Sequence, residues 1–421
     1  RNWTVAPALA ILPLSSSDDS GTGTLPMMDV FTARALIAGK AQVLPSGSVP
    51  LEQAHGRVLA TDLHARVDVP PAANSAMDGY ALQLPETPAP WRLPISQTIA
   101  AGTAPSHLQP GTAARIFTGG EIPAGANAVA IQEECELHDG EVTILVAPKP
   151  GENIRPQGQD LQRGQQIATS GARLTALHLG LLASCGIATV EVRRRPRVAL
   201  LSSGSELVEP GQPLRRGQIY NSNLHLLRGL LHDWGCELVM QTCVADDLQQ
   251  TRDLLQAAAA GADLVISTGG VSVGDADHLK AAISSLGELE MWKVNMKPGK
   301  PLAFGRLDAT PILALPGNPV SAFTTAVLFV KPFIEGLYGR AYQDLPFQSL
   351  PTGFAVHQAR RRPEFLRVRV EQGRLQPFAN QSSGVLSSVL WADGLAWVAA
   401  ATTLAEGDPI PYLPMQALLT L

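Results

Sequence analysis

Leu264-Val265-Ile266-Ser267-Thr268-Gly269-Gly270-Val271-Ser272-Val273-Gly274-Asp275-Ala276-Asp277 is the stretch on which the fold reading turns. Residues 264–267 form a short apolar run that reads as a buried strand. Paired glycines follow, and a helix is expected over about 277–286. Glycines let backbone N–H groups approach an anion, and a helix N-terminus adds partial positive charge. The segment is neither a Walker A loop nor GxGxxG, and a plain tight turn also explains it. Asp277 would repel a bare phosphate, which favours a donor-bearing ligand or an intervening metal ion.

The same alternation extends on both sides. Strands are expected at 198–201, 237–244 and 312–315, with helices over 223–234, 248–260 and onward from Pro319. Short apolar strands alternating with helices read as a parallel α/β domain whose ligands bind at one sheet edge. Upstream, helical periodicity begins near Met28 and recurs around 51–59. Residues 67–146 turn to short strands and Gly/Pro turns. A helix at 175–184 and a strand at 188–192 precede Arg193-Arg194-Arg195-Pro196, which reads as a solvated linker. Residues 345–421 alternate as short strands of a small barrel or sandwich.

Composition sets the outer limits. At about 150 residues per domain, 421 residues suggest roughly three domains. The 45% hydrophobic and 16% charged content excludes global disorder. A net charge of −5 argues against a protein-wide nucleic-acid footprint. No apolar run of about 18 residues stands out, so no membrane span is expected. Cys135, Cys185, Cys236 and Cys243 form no CxxC pair and read as four packed thiols in a reducing cytoplasm. Nine scattered histidines without HExxH argue against a zinc enzyme. Residues 1–26 read as a flexible tail rather than a secretory signal.

Several further segments carry chemistry. Lys297-Pro298-Gly299-Lys300-Pro301, with Lys293 upstream, presents compact cations on a turn, suited to a tetrahedral oxyanion. Leu315-Pro316-Gly317-Asn318-Pro319-Val320-Ser321 joins a strand to a helix, with Asn318 as N-cap and Pro319 at the first position. Its free N–H groups and the Ser321 hydroxyl could make a second anion site, although a purely structural cap also explains the segment. Ser203-Gly204-Ser205-Glu206 leaves another buried strand, and Asn223 is expected to cap the following helix. Asp246 and Asp247 end the next strand. Asp78, Asp160, Glu206 and Asp277 together could make a hard-cation site, although each alone also reads as a turn residue or cap.

In this order the segments resemble the MoeA family, the molybdopterin molybdenumtransferases, and the related gephyrin E domain. The resemblance rests on eight motifs: SAMDGYA at 75–81, TGGEIPAGANAV at 118–129, NIRPQGQD at 153–160, SSGSEL at 202–207, GQIYNSN at 217–223, TGGVSVGDAD at 268–277, KPGKP at 297–301 and LPGNPVSA at 315–322. Arg362-Pro363-Glu364-Phe365 and Leu386-Ser387-Ser388 extend it, so that it covers about 27–421.

The resemblance implies a multidomain α/β protein with a parallel-rich molybdopterin-binding domain at 196–340. An elongated helical/strand base for dimerisation would come from 27–66 plus 150–195. A β-rich domain at 67–149 is inserted in it, and a C-terminal β-barrel spans 341–421. The implied reaction inserts molybdate into adenylylated molybdopterin with Mg²⁺-dependent release of AMP. The cleft would lie between subunits of a cytoplasmic homodimer. Molybdopterin adenylyltransferase and apo-molybdoenzymes are the implied partners, with no nucleic acid and no membrane.

By the same resemblance Asp78, Asp160 and Glu206 hold the metal and organise the cleavage. Thr118, Asn223, Asp246, Gly269, Gly270, Ser272, Gly274, Asp277, Lys293, Lys297, Lys300, Pro316, Pro319 and Ser321 bind substrate. Ser272, Lys297, Lys300, Pro301, Ser321, Arg362 and Ser387 hold molybdate. Four positions depart from the family pattern: Ser205 replaces an Asp, Ala72 and Ala73 stand where an aromatic and an Asp are frequent, and Asn127 stands at a commonly acidic position. Two alternatives remain: a non-catalytic molybdopterin-binding scaffold, and a molybdopterin adenylyltransferase or nucleotide pyrophosphatase.

Overall fold

The computed structural model describes residues 27–244, 247–270 and 276–421, without the side chains of Ala276, Asp277 and Trp292. Residues 1–26, with the expected tail, lie outside the described residues.

The central sheet has seven strands, in the order Met28–Asp29, Gly287–Asn295, Pro301–Leu307, Thr310–Leu315, Leu264–Thr268, Arg197–Ser203 and Glu237–Val244. The last four run parallel, as the alternating pattern predicts. The expected helices are present at Ser222–Asp233, Leu248–Gly261, Ala276–Leu286 and from Pro319. What the pattern does not anticipate is the antiparallel hairpin Gly287–Asn295 and Pro301–Leu307, whose turn is the Lys297–Lys300 segment. The sheet is therefore mixed, and the basic turn projects from it.

The helical run Pro319–Leu337 is 19 residues long and apolar enough to cross a membrane, yet 83% of that window is buried inside the protein. This corrects the expectation that no such run exists, and shows why its apolarity is not a membrane signal. The run continues through a wider π-type segment, Ala326–Val330. Phe323, Phe329 and Phe333 are all fully or almost fully buried against the sheet, beside Trp234 and Leu413. Lys331 and Glu335, the charges of its last turns, pair at 3.6 Å, and Lys331 Nζ also donates to the Ala417 carbonyl at 2.9 Å.

Helix Val30–Gly39 belongs to this same core, and Met28–Asp29 pairs with the hairpin strand. The first part of the 27–66 stretch thus packs on the α/β body, whereas the base core gathers Leu59, Leu174, Leu182, Ile187 and Val192. No helix forms over 51–59. Leu51–Gln53 is a single 3-10 turn, because Gly56 at φ 73° breaks the run and 58–59 go into β-bridges. Helix Ala176–Ser184 forms as expected.

The insert is a six-stranded sheet ordered Ala128–Ile131, Gly79–Leu82, Ala113–Ile116, Trp91–Ile99, Glu141–Ile144 and Cys135–His138. The C-terminal sheet has five strands. It curls until the chain after Gln348–Pro351 bridges Leu375, with Gly353 N donating to the Leu375 carbonyl at 2.8 Å. That near-closure agrees with the expected barrel.

The four cysteines are unpaired thiols, as their spacing implies. Cys185 and Cys236 are buried, but Cys243 is exposed, so the reading of four packed thiols fails there. It stands on the sheet's edge strand, one position before buried Val244.

Trp234 is fully buried, and its Nε1 donates to the Leu419 carbonyl at 2.9 Å, tying the α/β core to the C-terminus. Trp234→Phe should keep the core filled and lose about 1–3 kcal/mol through the orphaned carbonyl. Trp234→Ala should lose about 3–5 kcal/mol. Thermal unfolding of the two variants beside wild type checks that order.

Candidate functional site

The parallel strands end at one edge, where Ser203, Thr268 and Leu315 deliver three loops. The loops touch. Gly269, at φ 85°, lies so close to the Ser203 carbonyl that a Cβ would fall on its oxygen. Gly317 lies against Gly269 in turn. Only glycine combines that φ with that approach. Thr268 Oγ1 donates to the Pro316 carbonyl at 3.1 Å. Asn223 Nδ2 donates to Gly317 O at 2.7 Å and to Thr268 Oγ1 at 3.1 Å.

Asn223 is therefore not the expected cap. Asn221 caps the helix, accepting from Leu224 N at 3.3 Å, and buried Asn223 staples two ligand loops from the first turn. Its Oδ1 is buried without a hydrogen-bond partner. Asn318 occupies the N-cap position before Pro319 but makes no side-chain capping bond. Asp247 caps the next helix, accepting from Gln250 N at 2.8 Å. Asp246, Ser272 and Gly274 lie outside the described residues, as does the side chain of Asp277.

A second concavity adjoins these loops. The Lys297–Pro301 turn, the start of helix Pro319–Thr325 and the C-terminal sheet enclose a cleft of about 560 Å³. Lys297, Lys300, Pro301, Asn318, Ser321 and Arg362 line it together with Gln381, Ser382 and Ser383. The C-terminal sheet is fastened to the turn by backbone: Lys297 N donates to Pro363 O at 3.0 Å, and Phe365 N to Lys297 O at 2.8 Å. Val320 N bonds the Ser383 carbonyl at 3.0 Å.

Lys297, Lys300, Pro301, Ser321 and Arg362 thus meet in one cleft, as the sequence suggests. Ser387 is exposed at the start of a helix and does not line it. Lys293 sits on the hairpin strand opposite Pro301, below the turn. Pro316 is buried and Pro319 half-buried in the loop that joins the glycine edge to the cleft.

The cleft is strongly cationic. Lys297 Nζ pairs with buried Glu364 at 2.7 Å, and Arg360 pairs with the same carboxylate. Desolvation, and then the charges of Arg360, Arg362 and Arg367, hold the Lys297 ammonium below its ordinary pKa. Arg367 was not singled out in the sequence, yet it is almost fully buried behind the cleft. Burial lowers its pKa to about 10. It donates to Ser388 Oγ and Ser382 O, each at 3.0 Å, fixing the loop that supplies Ser382 and Ser383. The only sequence signal was its alternation on a strand, which does not distinguish it from Arg369.

The acidic candidates sit elsewhere. Asp78 Oδ1 accepts from both Thr118 N and Thr118 Oγ1 at 2.7 Å. These bonds, the backbone one first, lower the Asp78 pKa. Both bonds go to one oxygen, which leaves the carboxylate with acceptor capacity for a cation. Arg115 beside it lies over the Tyr80 and Phe117 rings. Asn74–Ser75 pairs with Ile154–Arg155, so the motif of Asp78 and the loop of exposed Asp160 are joined by a small ladder. Glu206 is exposed at the α/β edge, with its carboxylate folded over Gly204. Among the described residues no three His, Cys, Asp or Glu side chains of one chain come close enough to hold a metal ion. Asp78, Asp160 and Glu206 are therefore not gathered within a single chain.

Three family models match the chain in order: the MoeA N-terminal region (domain I and II) over 28–186, the "probable molybdopterin binding domain" over 199–336, and the MoeA C-terminal region (domain IV) over 349–415. A Haemophilus influenzae protein named molybdopterin molybdenumtransferase is 42% identical over 292 residues, covering 69% of this chain and 72% of that one. A Mycobacterium tuberculosis protein named molybdopterin molybdenumtransferase 2 is 37% identical over 362 residues, covering 83% and 89%. Two solved structures of the MoeA protein from Pyrococcus horikoshii, at 30% and 26% identity, each cover 92% of this chain and 99% of theirs, with a TM-score of 0.78. Motif order, glycine edge, cationic cleft and these likenesses agree, and the chain belongs to the MoeA family.

Proposed function

We propose that this protein is a molybdopterin molybdenumtransferase that inserts molybdate into adenylylated molybdopterin and releases AMP. The observation that carries the reading is the convergence of Lys297, Lys300, Ser321 and Arg362 in one cleft, continuous through the 316–319 loop with the glycine edge. Cations and a hydroxyl around an open space suit a tetrahedral dianion, and the neighbouring backbone edge suits pterin and phosphate groups. The chemistry needs reactants held side by side more than it needs a nucleophile, and rigid loops on a buried core supply that.

Mg²⁺ is the proposed cofactor. Asp78, Asp160 and Glu206 have the hard oxygen chemistry to hold it, and it would offset the charge of the phosphoanhydride. Because these groups are not gathered in one chain, the reading calls for a homodimer in which Asp78 and Thr118 act on the partner's cleft. Helix Ala176–Ser184 supports that assembly. It is apolar nearly throughout, yet Ala176, Leu177, Gly180 and Ala183 are exposed, Leu177 at 85%. Such a face fits a second copy of itself. Unpaired thiols agree with a cytoplasmic location. A molybdopterin adenylyltransferase as supplier and apo-molybdoenzymes as recipients complete the proposal.

Molybdate-dependent AMP release from adenylylated molybdopterin tests the reading directly. Asp78→Ala should lower that rate by about a hundredfold or more. Lys300→Ala should weaken molybdate by about tenfold to a hundredfold. AMP release that ignores molybdate would sink the transferase reading.

Two finer outcomes follow from the geometry. Thr118→Val removes the hydroxyl bond that keeps Asp78 ionised, so the Asp78 pKa rises and the acid limb of the rate profile moves to higher pH. At a molybdate concentration too low for Lys300→Ala alone, Asp78→Ala and Lys300→Ala chains, mixed and reassociated, should recover about a quarter of wild-type activity if sites are shared between subunits. Leu177→Asp should yield a monomer by light scattering and abolish that recovery.

A further inference from the structure

Arg193-Arg194-Arg195 reads in the sequence as a solvated linker, but the structure builds it into the joint between the base and the α/β body. Arg194 is fully engaged: both terminal nitrogens bond Asp263, at 2.9 and 2.7 Å. Its neighbours are engaged only in part: Arg57 Nη2 donates to the Arg193 carbonyl at 3.0 Å and Arg193 Nη1 to the Leu44 carbonyl at 3.1 Å. Gly56 N donates to Leu174 O, Leu174 N to Arg57 O, and Arg193 N to Val58 O, each at 2.8 Å. Three backbone runs therefore lie side by side and bring Arg57, Arg173 and Arg193 to one corner of the base. The α/β body closes that corner with Tyr338, whose hydroxyl donates to Gly235 O at 2.9 Å.

Arg57 and Arg173 are half-buried there, and Arg195 is exposed at the rim. The charges of Arg195, Arg57 and Arg173 all act on the Tyr338 hydroxyl, and that of Arg195 acts on Arg57. Like charges crowded into a partly desolvated corner repel one another. The neighbouring carboxylates do not relieve them: Asp263 is bonded to Arg194, and Glu335 to Lys331 and Arg340. No ion pair among the described residues includes Arg57, Arg173 or Arg195. The Nε atoms of Arg57 and Arg193 are moreover buried without a hydrogen-bond partner. Buried guanidinium donors of this kind are ordinarily satisfied.

We propose that this corner is an anion site separate from the oxyanion cleft, taking a phosphate-class tetrahedral oxyanion that bridges the base to the α/β body. Guanidinium forks suit such a ligand, since they present parallel N–H donors to two of its oxygens. The shared chemistry admits inorganic phosphate or the terminal group of a phosphomonoester.

The test uses the full chain carrying Lys297→Ala and Lys300→Ala, which removes the cleft lysines. Inorganic phosphate is titrated calorimetrically at constant ionic strength, with chloride as control, and thermal melting is followed in parallel. Saturable binding of one phosphate per chain that raises the melting temperature is expected. Arg195→Ala, at an exposed position, should weaken it by about tenfold, and Arg57→Gln with Arg173→Gln should abolish it. AMP that displaces phosphate would extend the site to phosphomonoesters, and AMP that does not would restrict it to the inorganic ion. Absence of saturable binding, or binding unchanged by Arg195→Ala and Arg57→Gln, overturns the proposal.

Discussion

A helix with no polar face has to be buried on all sides, and the rest of this structure is arranged around that requirement. Pro319–Leu337 is such a helix. The mixed sheet covers one side of it, Val30–Gly39 another, and residues from Leu413 to Leu421 complete the cover. Its two late charges are tolerated because they pair with each other and with a carbonyl from the C-terminal segment. Burial accordingly pushes the Lys331 pKa down, with Glu335 opposing it. The helix therefore fixes where the C-terminal sheet sits, and its first turn, with Asn318 and Ser321, is placed where α/β body and sheet meet.

That placement makes the cleft. The hairpin turn and the C-terminal segment each supply part of its lining. Backbone bonds between Lys297 and the 363–365 strand lock them into one wall. The cost is a crowd of cations: Lys297, Arg360, Arg362 and buried Arg367. Glu364 offsets part of it through Lys297 and Arg360. Desolvation first, and then the charges of Arg360, Arg362 and Arg367, hold the Lys297 pKa down. A cleft with surplus positive charge is stabilised by an anion, so its electrostatics favour an anionic ligand.

The sequence showed the alternating strands and helices because each is short, apolar and bounded by turns. It did not show the hairpin at 287–307. Leu289 and Met291 do alternate there with Glu288 and Glu290, but so short an alternation between a helix and a basic turn fixes neither the strand's length nor its partner. It showed that Asn223 mattered but assigned it to the cap. Asn221 and Asn223 are chemically equivalent in one dimension, and only packing decides which side chain turns inward. Ser387 was carried into the cleft by its motif, whereas Ser382 and Ser383 stand there, because buried Arg367 folds the preceding loop inward. The arginine run at 193–195 looked like solvent-facing charge. Its bonds are to distant carbonyls and to Asp263, and no local pattern announces these.

The scattering of the carboxylates follows from the same electrostatics. Asp78, Asp160 and Glu206 drawn together in one chain would repel each other wherever a cation was absent, and a half-buried acidic cluster would raise its own pKa values. Held apart, each is cheap. Asp78 is kept ionised by two bonds from Thr118, and Asp160 and Glu206 remain exposed to water. On the homodimer reading, the acidic site then exists only where two subunits meet, and it meets a cleft already rich in lysine and arginine. On that reading, charge complementarity between the negative and positive halves favours the assembled site. On that same reading Ser205, standing where the family pattern has an Asp, leaves Glu206 as the α/β side's carboxylate, and more of the proposed metal's affinity falls on the partner's Asp78, whose pKa the Thr118 bonds hold down.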